Sequence, residues 1–350
     1  MIALHLISET PPEGSPWASA EIRLLRPYTH RSMSRELTVS VGNSLPNGPV
    51  HAAVLQRGGP VGSTIGEIVD LVSRIKARGA RLIYDLDDDL LADHPSMSVE
   101  RFLDGIRPKV RFLLREADAI TVSTQVLADR LRRHNPNVIV WQNALDEAIV
   151  PPLSAKGRNF SLGYFGTNSH LQNLMAVIGQ LAESAAQHND RPSFELCGIS
   201  DDRRIAGLLG SGLEVRLRAA QGNYGQFHRT LATKARWAVG IAPLMAGPFN
   251  DAKSDIKALD YAAAGIPAIV SDVPAYANLA DGETVLRVPI TEFGEAAFAL
   301  LHDEDRQRQL AKVAHNNLLE TRVLAVRAPE LLAILKQILD RAPFVNGAAV

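Results

Sequence analysis

Cysteine is nearly absent from this chain, and that scarcity limits how the fold can be held together. Cys197 is the only cysteine in 350 residues, so no disulfide can form within the chain. Its flanks, Phe194-Glu195-Leu196 and Gly198, are typical of a buried strand, and we interpret it as a structural residue, not a reactive thiol. The reducing cytoplasm is therefore the expected compartment.

The chain also lacks a strong charge of either sign and a long apolar run. The 37 basic and 38 acidic residues leave a formal net charge of −1, so global charge gives no support for nucleic-acid binding, and we expect no nucleic-acid partner. No apolar run approaches the roughly 20 residues that span a bilayer. Peripheral contact with a membrane surface stays open, because a predicted helix carries a basic cluster, although such clusters are usually solvated faces. Its members are Arg107, Lys109, Arg111 and Arg115.

Strand-like and helix-like segments alternate almost throughout, which indicates α/β layers with mostly parallel sheets. The predicted strands form two series of six. The first comprises 2–7, 37–41, 53–55, 81–84, 119–122 and 138–141, and the second comprises 161–165, 194–197, 213–217, 238–242, 268–270 and 285–288. Predicted helices between and after them are centred on 19–26, 65–77, 99–115, 125–133 and 323–339.

A break in the alternation predicts two domains. Pro151, Pro152 and the polar stretch 154–159 interrupt the pattern midway. We therefore expect one Rossmann-like domain over 1–152 and a second over 153–322, followed by a terminal helix and tail over 323–350. Ligands of such sheets bind at the carboxyl ends of the strands.

The stretch 253–267 carries the strongest functional signal. It predicts a helix with Ser254 as its N-cap, Asp255 in its first turn and Gly265 at its end. Lys253 and Lys257 lie near the helix start, where exposed amides and the helix dipole favour a diphosphate. Helical spacing lets Lys257 share a face with Asp260, whose carboxylate suits ribose hydroxyls. Ordinary surface helices show similar caps and charges, so Lys253–Lys257 alone would be equally compatible with a solvated helix.

A glycine turn opens the second predicted domain. Gly166 follows an apolar strand and lets the backbone approach a ligand, while Thr167 or Asn168 can cap the next helix. His170 in the first turn can bond a phosphate or a sugar hydroxyl, although a lone histidine there is more often a capping or surface residue. The turn predicts a second contact to the same diphosphate.

Four acidic residues occupy five positions at 85–89 in the first predicted domain. Such a cluster could hold a metal, but paired aspartates also serve as plain caps and turns. The glycines at 58–62 mimic a dinucleotide fingerprint, but Pro60 stands where the second glycine is required, so a hydride-transfer enzyme is disfavoured.

Several of these stretches together resemble one enzyme family. The sequence 84–90, the strand and turn at 118–127, the turn 161–170 and the helix, Gly-x-Pro and strand at 253–276 are similar to GT-B-fold glycosyltransferases of the large family that builds bacterial surface polysaccharides (glycosyl transferases group 1). The resemblance implies two Rossmann-like domains facing across a cleft, with the terminal helix crossing back to the first. It also implies transfer of a hexose or deoxyhexose from a nucleoside-diphosphate sugar to a glycan or lipid-linked glycan acceptor, without a cofactor or metal.

The resemblance also assigns roles to residues. Asp85 or Asp87 would accept the proton of the attacking hydroxyl, and Lys257 would stabilise the leaving diphosphate. The donor set would be Gly166, Thr167, Asn168, His170, Lys253, Ser254, Lys257 and Asp260, and the acceptor set Ser15, Arg57, Gly59, Asp88 and Asn143.

Two departures from the family pattern bear on function. The family usually has Glu at position 260 and an acidic residue eight positions earlier, where this chain has Asp260 and Ala252. Asn250 or Asp251 could substitute for the missing acid. A nucleotide-sugar 2-epimerase of the same fold, or a catalytically silent binding subunit, therefore stays open as an alternative function.

Overall fold

The computed structural model describes residues 1–11, 15–153, 159–199, 213–219 and 222–341. The chain forms two compact units. The first contains Met1–Asp146, the short segment Ala252–Ser254 and the chain from Val323 onward, and the second contains Glu147–Asp251 and Asp255–Arg322. Among the described helices, none is both long and apolar enough to cross a membrane.

The first unit is built on a six-stranded parallel sheet. Its strands are β1 (Ile2–Ile7), β2 (Leu37–Val41), β3 (Ala52–Gln56), β4 (Arg81–Leu86), β5 (Ala119–Val122) and β6 (Val138–Val140), in the order β2-β1-β3-β4-β5-β6. Its helices are α1 (Ala18–Ala20), continued by a π-helical turn over Glu21–Leu25 and by α2 (Arg26–Thr29), then α3 (Ile65–Ala77), α4 (Met97–Glu116), α5 (Gln125–Leu131) and, at the end of the chain, α12 (Leu324–Asp340).

The second unit repeats the architecture with another strand order. Its strands are β7 (Asn159–Phe165), β8 (Ser193–Cys197), β9 (Glu214–Arg218), β10 (Trp237–Ala242), β11 (Ala268–Ser271) and β12 (Leu286–Val288), in the order β12-β11-β10-β7-β8-β9. The described helices around it are α6 (Leu171–Gln187), α7 (Tyr224–Lys234), α8 (Pro248–Asp251), α9 (Ile256–Ala263), α10 (Phe293–Leu301) and α11 (Glu304–Thr321).

Each sheet reverses its winding direction at one point, and that point predicts where a ligand binds. In the first sheet the reversal lies between β1 and β3, and in the second it lies between β7 and β10. Connections on the two sides of such a point run to opposite faces of the sheet, so the carboxyl ends of the two strands border a crevice. The residues just after these four strands are therefore the first places to look for chemistry.

Local sequence explains why the elements start where they do. Helix α3 begins with a capping box, in which the Thr64 hydroxyl accepts from the Glu67 amide at 3.2 Å and the Glu67 carboxylate accepts from the Thr64 amide at 2.7 Å. Helix α7 starts with the same device from Asn223 and Gln226. The central strands are mostly apolar, as expected for parallel sheets covered on both faces, and β3 and β10 are buried over their whole length, whereas the edge strands β2 and β9 carry polar residues.

The fold class expected from the sequence is confirmed. All twelve predicted strands are present, and none of their ends differs from the prediction by more than two residues. Helix α12 packs in the first unit, where the Trp141 indole N–H donates to the carbonyl of Arg327 at 3.4 Å. The segment Ala252–Ser254 also belongs to the first unit, which the sequence pattern did not indicate.

The basic cluster on α4 differs from the solvated face that its sequence suggests. Arg107 is 8% exposed and pairs with Glu100 and Asp104, each at 2.5 Å. Lys109 is 7% exposed and donates to the Ser63 carbonyl at 3.0 Å, and burial lowers its pKa. Two of the four cations are therefore committed to contacts within the protein, which weakens the case for a membrane-binding face.

Replacing Gly163 with alanine should destabilise the second unit. An added Cβ at this position of β7 would lie 1.7 Å from the buried indole ring of Trp237. Such overpacking costs about 1–3 kcal/mol or more. The matched control is Gly179→Ala on α6, where an added Cβ meets nothing within 4 Å, and it should stabilise by about 0.5–1 kcal/mol. Urea unfolding measures both variants, and equal stabilities would contradict the close packing of β7 against Trp237.

Candidate functional site

Arg57 occupies the switch point of the first sheet, directly after β3. Its φ of 51° is unusual for a residue with a side chain, and such strained positions concentrate at functional sites. The backbone is fixed by two hydrogen bonds, because the Arg57 amide donates to the Asp85 carbonyl at 3.1 Å and the Tyr84 hydroxyl donates to the Arg57 carbonyl at 2.7 Å. The side chain is thereby placed at the crevice beyond the strands.

Three carboxylates surround the Arg57 guanidinium. Its Nε donates to Glu9, which follows β1, at 2.7 Å, and its Nη1 donates to Asp87 at 2.9 Å and to Asp88 at 3.0 Å. Glu9, at the other strand of the switch point, was not among the residues singled out in the sequence, because nothing in its neighbourhood distinguishes it from an ordinary loop acid. The expected members Arg57, Asp87 and Asp88 do lie together.

The three carboxylates differ in their tendency to hold a proton. Burial raises the pKa of both Glu9 and Asp87 against the opposing pull of Arg57. Burial acts in the same direction on Asp88, but Lys253 and Arg57 overcome it and hold the pKa of Asp88 well below its usual range. The Lys253 ammonium lies 3.1 Å from Asp88. Asp87 is thus a stronger proton acceptor than Asp88, whose two cationic neighbours favour the charged form.

Asp85 belongs to a different, fully buried network. Its two oxygens accept from Nε and Nη2 of Arg23 at 3.1 and 2.7 Å, and the Thr121 hydroxyl donates to it at 2.7 Å. Arg23 is 1% exposed and also donates to the Trp141 carbonyl at 2.6 Å and to Asn143 at 3.0 Å. Both Asp85 oxygens are therefore used inside the protein, which favours a positioning role for this carboxylate over proton transfer.

The other residues expected to bind an acceptor have varied surroundings. Asn143 accepts from Arg23 through Oδ1 and donates from Nδ2 to Ser254 at 2.8 Å. Gly59 has a φ of 75° and packs so closely on Ile68 that an added Cβ would lie 2.7 Å from Ile68 Cδ1. Ser15 is exposed in the segment before α1. Among the residues that the structure describes, no hydrogen bond or ion pair joins Gly59 or Ser15 to the Arg57 cluster.

In the second unit, the carboxyl end of β7 brings three predicted residues together. An added Cβ on Gly166 would lie 3.4 Å from both the Lys257 ammonium and the His170 ring. Lys257 Nζ donates to the Phe165 carbonyl at 2.8 Å and lies 4.1 Å from the centre of the Tyr164 ring. A cation is therefore held over the end of β7, at the switch point of the second sheet.

The helix that carries Lys257 begins later than its sequence suggests. Ser254 was expected as the N-cap, and this is wrong, because Ser254 lies in the first unit with its hydroxyl accepting from Asn143. The N-cap position is taken by Asp255, which makes no side-chain cap bond. Its carboxylate instead accepts two hydrogen bonds from Arg322, at 2.7 and 2.8 Å, and these fix the start of α9.

The turn after β7 also differs from the expected cap. Helix α6 is preceded by a 3-10 turn, Asn168–His170, and His170 takes the N-cap position without a side-chain cap bond. The Thr167 hydroxyl pairs with Ser169 at 2.7 Å. The N-cap of α6 is therefore His170, and the prediction that Thr167 or Asn168 takes this position is wrong.

Asp260 is buried against α7. The Tyr224 hydroxyl and His228 Nε2 both approach its Oδ1, at 2.5 and 2.9 Å, and Asp260 is 4% exposed. Sequence reasoning missed Tyr224 and His228, although their spacing of four residues places them on one face of α7. The pair links α7 to α9 beside Lys257.

Side-chain hydrogen bonds hold the loop after β10 in place. Asn173 Oδ1 accepts from the Met245 amide and from Asn250 Nδ2, both at 3.0 Å, and Asp251 Oδ1 accepts from the Gly247 amide at 3.1 Å. Both residues considered as substitutes for the missing acid are thus engaged in shaping this loop. Ala252 itself is fully buried, and its carbonyl accepts from the Thr124 hydroxyl.

Removing one member of the buried Arg23–Asp85 pair should strongly destabilise the first unit. Arg23→Leu leaves Asp85 charged and largely without its partner, a change that costs about 3–5 kcal/mol in buried pairs. The control is Arg26→Leu three positions on, where the ion pairs to Glu21 and Asp146 are partly exposed and contribute about 0–1 kcal/mol. Denaturant unfolding measures both variants, and a loss below about 1 kcal/mol for Arg23→Leu would contradict the central role of this pair.

Comparison with proteins of known structure identifies the fold. No protein-family model and no curated protein matches the sequence. The structure is similar to sucrose-phosphate synthase from Thermosynechococcus elongatus at 16% identity, over 97% of this chain and 99% of that chain, with a TM-score of 0.69. It is also similar to Anabaena Alr3699/HepE, solved in complex with UDP and glucose, at 13% identity, over 96% and 100% of the two chains, with a TM-score of 0.64.

A third similar structure is TarM, at 9% identity and a TM-score of 0.63. The match covers 83% of this chain but only 55% of TarM, so the chain spans about half the length of that protein. At such identities the similarity shows the fold alone. The fold is that of the GT-B glycosyltransferases, as the sequence motifs predicted.

Proposed function

We propose that the protein is a glycosyltransferase that uses a nucleoside-diphosphate sugar as donor. The observation that carries the proposal is the Gly166–His170–Lys257 group at the switch point of the second sheet, on a fold shared with proteins such as Alr3699/HepE, which was solved with UDP and glucose. Uridine diphosphate and UDP-glucose are therefore the first ligands to test.

Lys257 would act on the leaving diphosphate. Negative charge grows on that group as the glycosidic bond breaks, so a fixed cation lowers the energy of the transition state more than that of the bound donor. The Phe165 carbonyl and the Tyr164 ring hold the ammonium in place, and the positive end of α9 adds to its field. A Cβ at position 166 would lie 3.4 Å from the Lys257 ammonium, so the glycine keeps this side of the cation clear of a side chain. We propose that these groups supply the charge that a metal supplies in other transferases, with no cofactor required.

Asp260 would contact the ribose through one oxygen only. Within the described residues, the hydrogen bonds of its carboxylate fall on Oδ1, which leaves Oδ2 for a ribose hydroxyl. Tyr224 and His228 would then orient the carboxylate.

The Arg57 cluster would hold the acceptor. Its carboxylates can accept hydrogen bonds from sugar hydroxyls, and Asp87, with its raised pKa, suits proton acceptance from the attacking hydroxyl. The expected acceptor is a glycan or lipid-linked glycan of a bacterial surface polysaccharide, and the transferred sugar a hexose or deoxyhexose. We extend the acceptor set of Arg57 and Asp88 by Glu9.

A catalytically silent binding subunit is the second candidate. It is favoured by the burial of Ala252 and the internal bonding of Asp260, at the two positions where the resembling family is acidic. Release of nucleoside diphosphate from UDP-glucose and related donors, measured with mixed glycan acceptors and repeated in EDTA, separates the two functions. Transfer that persists in EDTA supports the proposal, and binding of every donor without turnover supports the silent subunit.

Lys257→Ala should weaken nucleoside-diphosphate binding about ten- to a hundredfold. The change removes a charge-assisted hydrogen bond, which contributes about 1.5–3 kcal/mol. Lys312→Ala on α11, which removes an exposed lysine of the same unit, is the matched control and should bind as the wild type does. Titration calorimetry with UDP measures both, and unchanged affinity in Lys257→Ala would place the donor site elsewhere.

Asp87→Asn should impair transfer while leaving nucleotide affinity nearly unchanged. Asp87 lies in the first unit, whereas Gly166, His170 and Lys257, on which the donor proposal rests, lie in the second, so its carboxylate should affect the acceptor step alone. Asp93→Asn, at a highly exposed aspartate, is the control. Turnover and UDP affinity are measured on the same samples, and an equal loss of both in Asp87→Asn would assign the acidic cluster to the donor site or to folding.

A further inference from the structure

A second cluster of ligand-type side chains lies on the second unit, away from Lys257. His188, Asp190 and His302 each offer one metal-ligating atom, and these three atoms lie within 4.8 Å of one another. His302 Nε2 is 2.9 Å from Asp190 Oδ2, and the rings of His188 and His302 have centres 5.3 Å apart. None of the three takes part in the site proposed for the donor.

The position of the cluster follows from the topology of the unit. His188 and Asp190 lie between α6 and β8, and His302 follows α10. Helices α6 and α10 both run back from the carboxyl ends of the strands, so their last turns reach the amino edge of the sheet. The ring of Phe160, near the start of β7, lies 5.3 Å from that of His302. The cluster is therefore at the edge opposite to Gly166 and Lys257.

A fixed backbone turn holds two of the three residues. Asn189 has a φ of 52°, and its amide donates to the Ala186 carbonyl at 3.2 Å, while the Asp190 amide donates to the Ala185 carbonyl at 3.0 Å. This left-handed residue ends α6 in the manner that asparagine tolerates. His188 and Asp190 are thus held on either side of a defined turn and not on a free loop.

Two helix ends make the place favourable for a cation. His188 is the C-cap of α6 and His302 is the C-cap of α10. The carbonyl ends of two helices, each equivalent to roughly half a negative charge, therefore meet beside the three ligands. The His188 ring also stacks on Phe298 of α10, with ring planes 15° apart, which restricts its rotation.

We propose that His188, Asp190 and His302 form a binding site for a zinc ion. Two imidazoles and one carboxylate are donors that zinc accepts in a tetrahedral site, with water in the fourth position, whereas magnesium and calcium prefer oxygen ligands. Tetrahedral ligands about 2.0–2.1 Å from zinc lie closer together than 4.8 Å, so small side-chain rotations complete the site. The ion would link the end of α6 to the end of α10 and stabilise the second unit without entering the transfer reaction.

The test is zinc titration of the full chain, without an affinity tag, by calorimetry. The wild type should bind one zinc ion, and His302→Asn should bind it at least tenfold more weakly. The double variant His188→Asn/His302→Asn should show no binding at this site. The control is His134→Asn, which removes a histidine of the first unit and should bind as the wild type does. Cobalt substitution gives a second readout, because a tetrahedral site produces visible absorption that the double variant should lack.

Three results would overturn the proposal. The first is that the wild type binds no zinc. The second is that the double variant binds zinc with the affinity of the wild type. The third is that His134→Asn loses as much zinc affinity as the double variant does. UDP affinity is measured on the same variants and should not change, since the cluster lies at the opposite sheet edge. Absence of zinc binding with intact UDP binding refutes this site alone, whereas absence of UDP binding in the wild type refutes the proposed function and leaves the zinc result standing. Circular dichroism checks that each variant is folded.

Discussion

A parallel sheet whose strand order reverses leaves a crevice outside the carboxyl ends of the two strands at the reversal, and both units of this protein are organised around such a point. In the first unit the strands are β1 and β3, and the residues beyond them are Glu9 and Arg57. In the second they are β7 and β10, and the cation held over the end of β7 is Lys257. The chemistry proposed for each unit depends on this topological constraint, because the side chains around Arg57 and Lys257 meet at the crevice that it leaves.

Charge is distributed differently at the two points. The first unit gathers Glu9, Asp87 and Asp88 around Arg57, with Lys253 adding a second cation. Such a cluster presents carboxylate oxygens and has little attraction for a diphosphate. The second unit holds Lys257 against a carbonyl and an aromatic face. The Lys257 group of the second unit therefore favours a dianion, and the Arg57 cluster of the first unit favours groups with several hydroxyls. This difference is the one expected between a donor site and an acceptor site.

The sequence predicted the fold well because its signals are local. Apolar runs bounded by turns fix each strand, and the capping box at Thr64 and Glu67 fixes a helix start. The sequence also predicted that Gly166, His170 and Lys257 lie close together. Gly166 and His170 follow β7, and Lys257 lies in the first turn of a helix of the same predicted domain. The partners of each charged side chain could not be predicted from the sequence. Pairing of Asp255 with Arg322, or of Asp260 with Tyr224 and His228, depends on tertiary packing between elements that no local pattern joins.

The same limit explains the errors. Serine is a residue type that favours the N-cap position, but the Ser254 hydroxyl accepts a hydrogen bond from Asn143 and the helix starts after Asp255. Arg107 and Lys109 have the spacing of a solvated face, yet both side chains are buried. Arg107 pairs with Glu100 and Asp104, and Lys109 donates to the Ser63 carbonyl. For Ser254 and Lys109 the deciding hydrogen bonds come from residues distant in sequence, and a buried polar group without a partner costs more than a cap contributes.

Hydrogen–deuterium exchange with and without UDP tests the central claim most directly, because it reports where the nucleotide binds without altering any residue. If the donor site is at the switch point of the second sheet, UDP should slow amide exchange in peptides covering 163–171 and 255–260, with no change over 84–90 in the first unit. Slowed exchange confined to 84–90, or unchanged exchange in all three segments at a saturating concentration of UDP, would contradict the account.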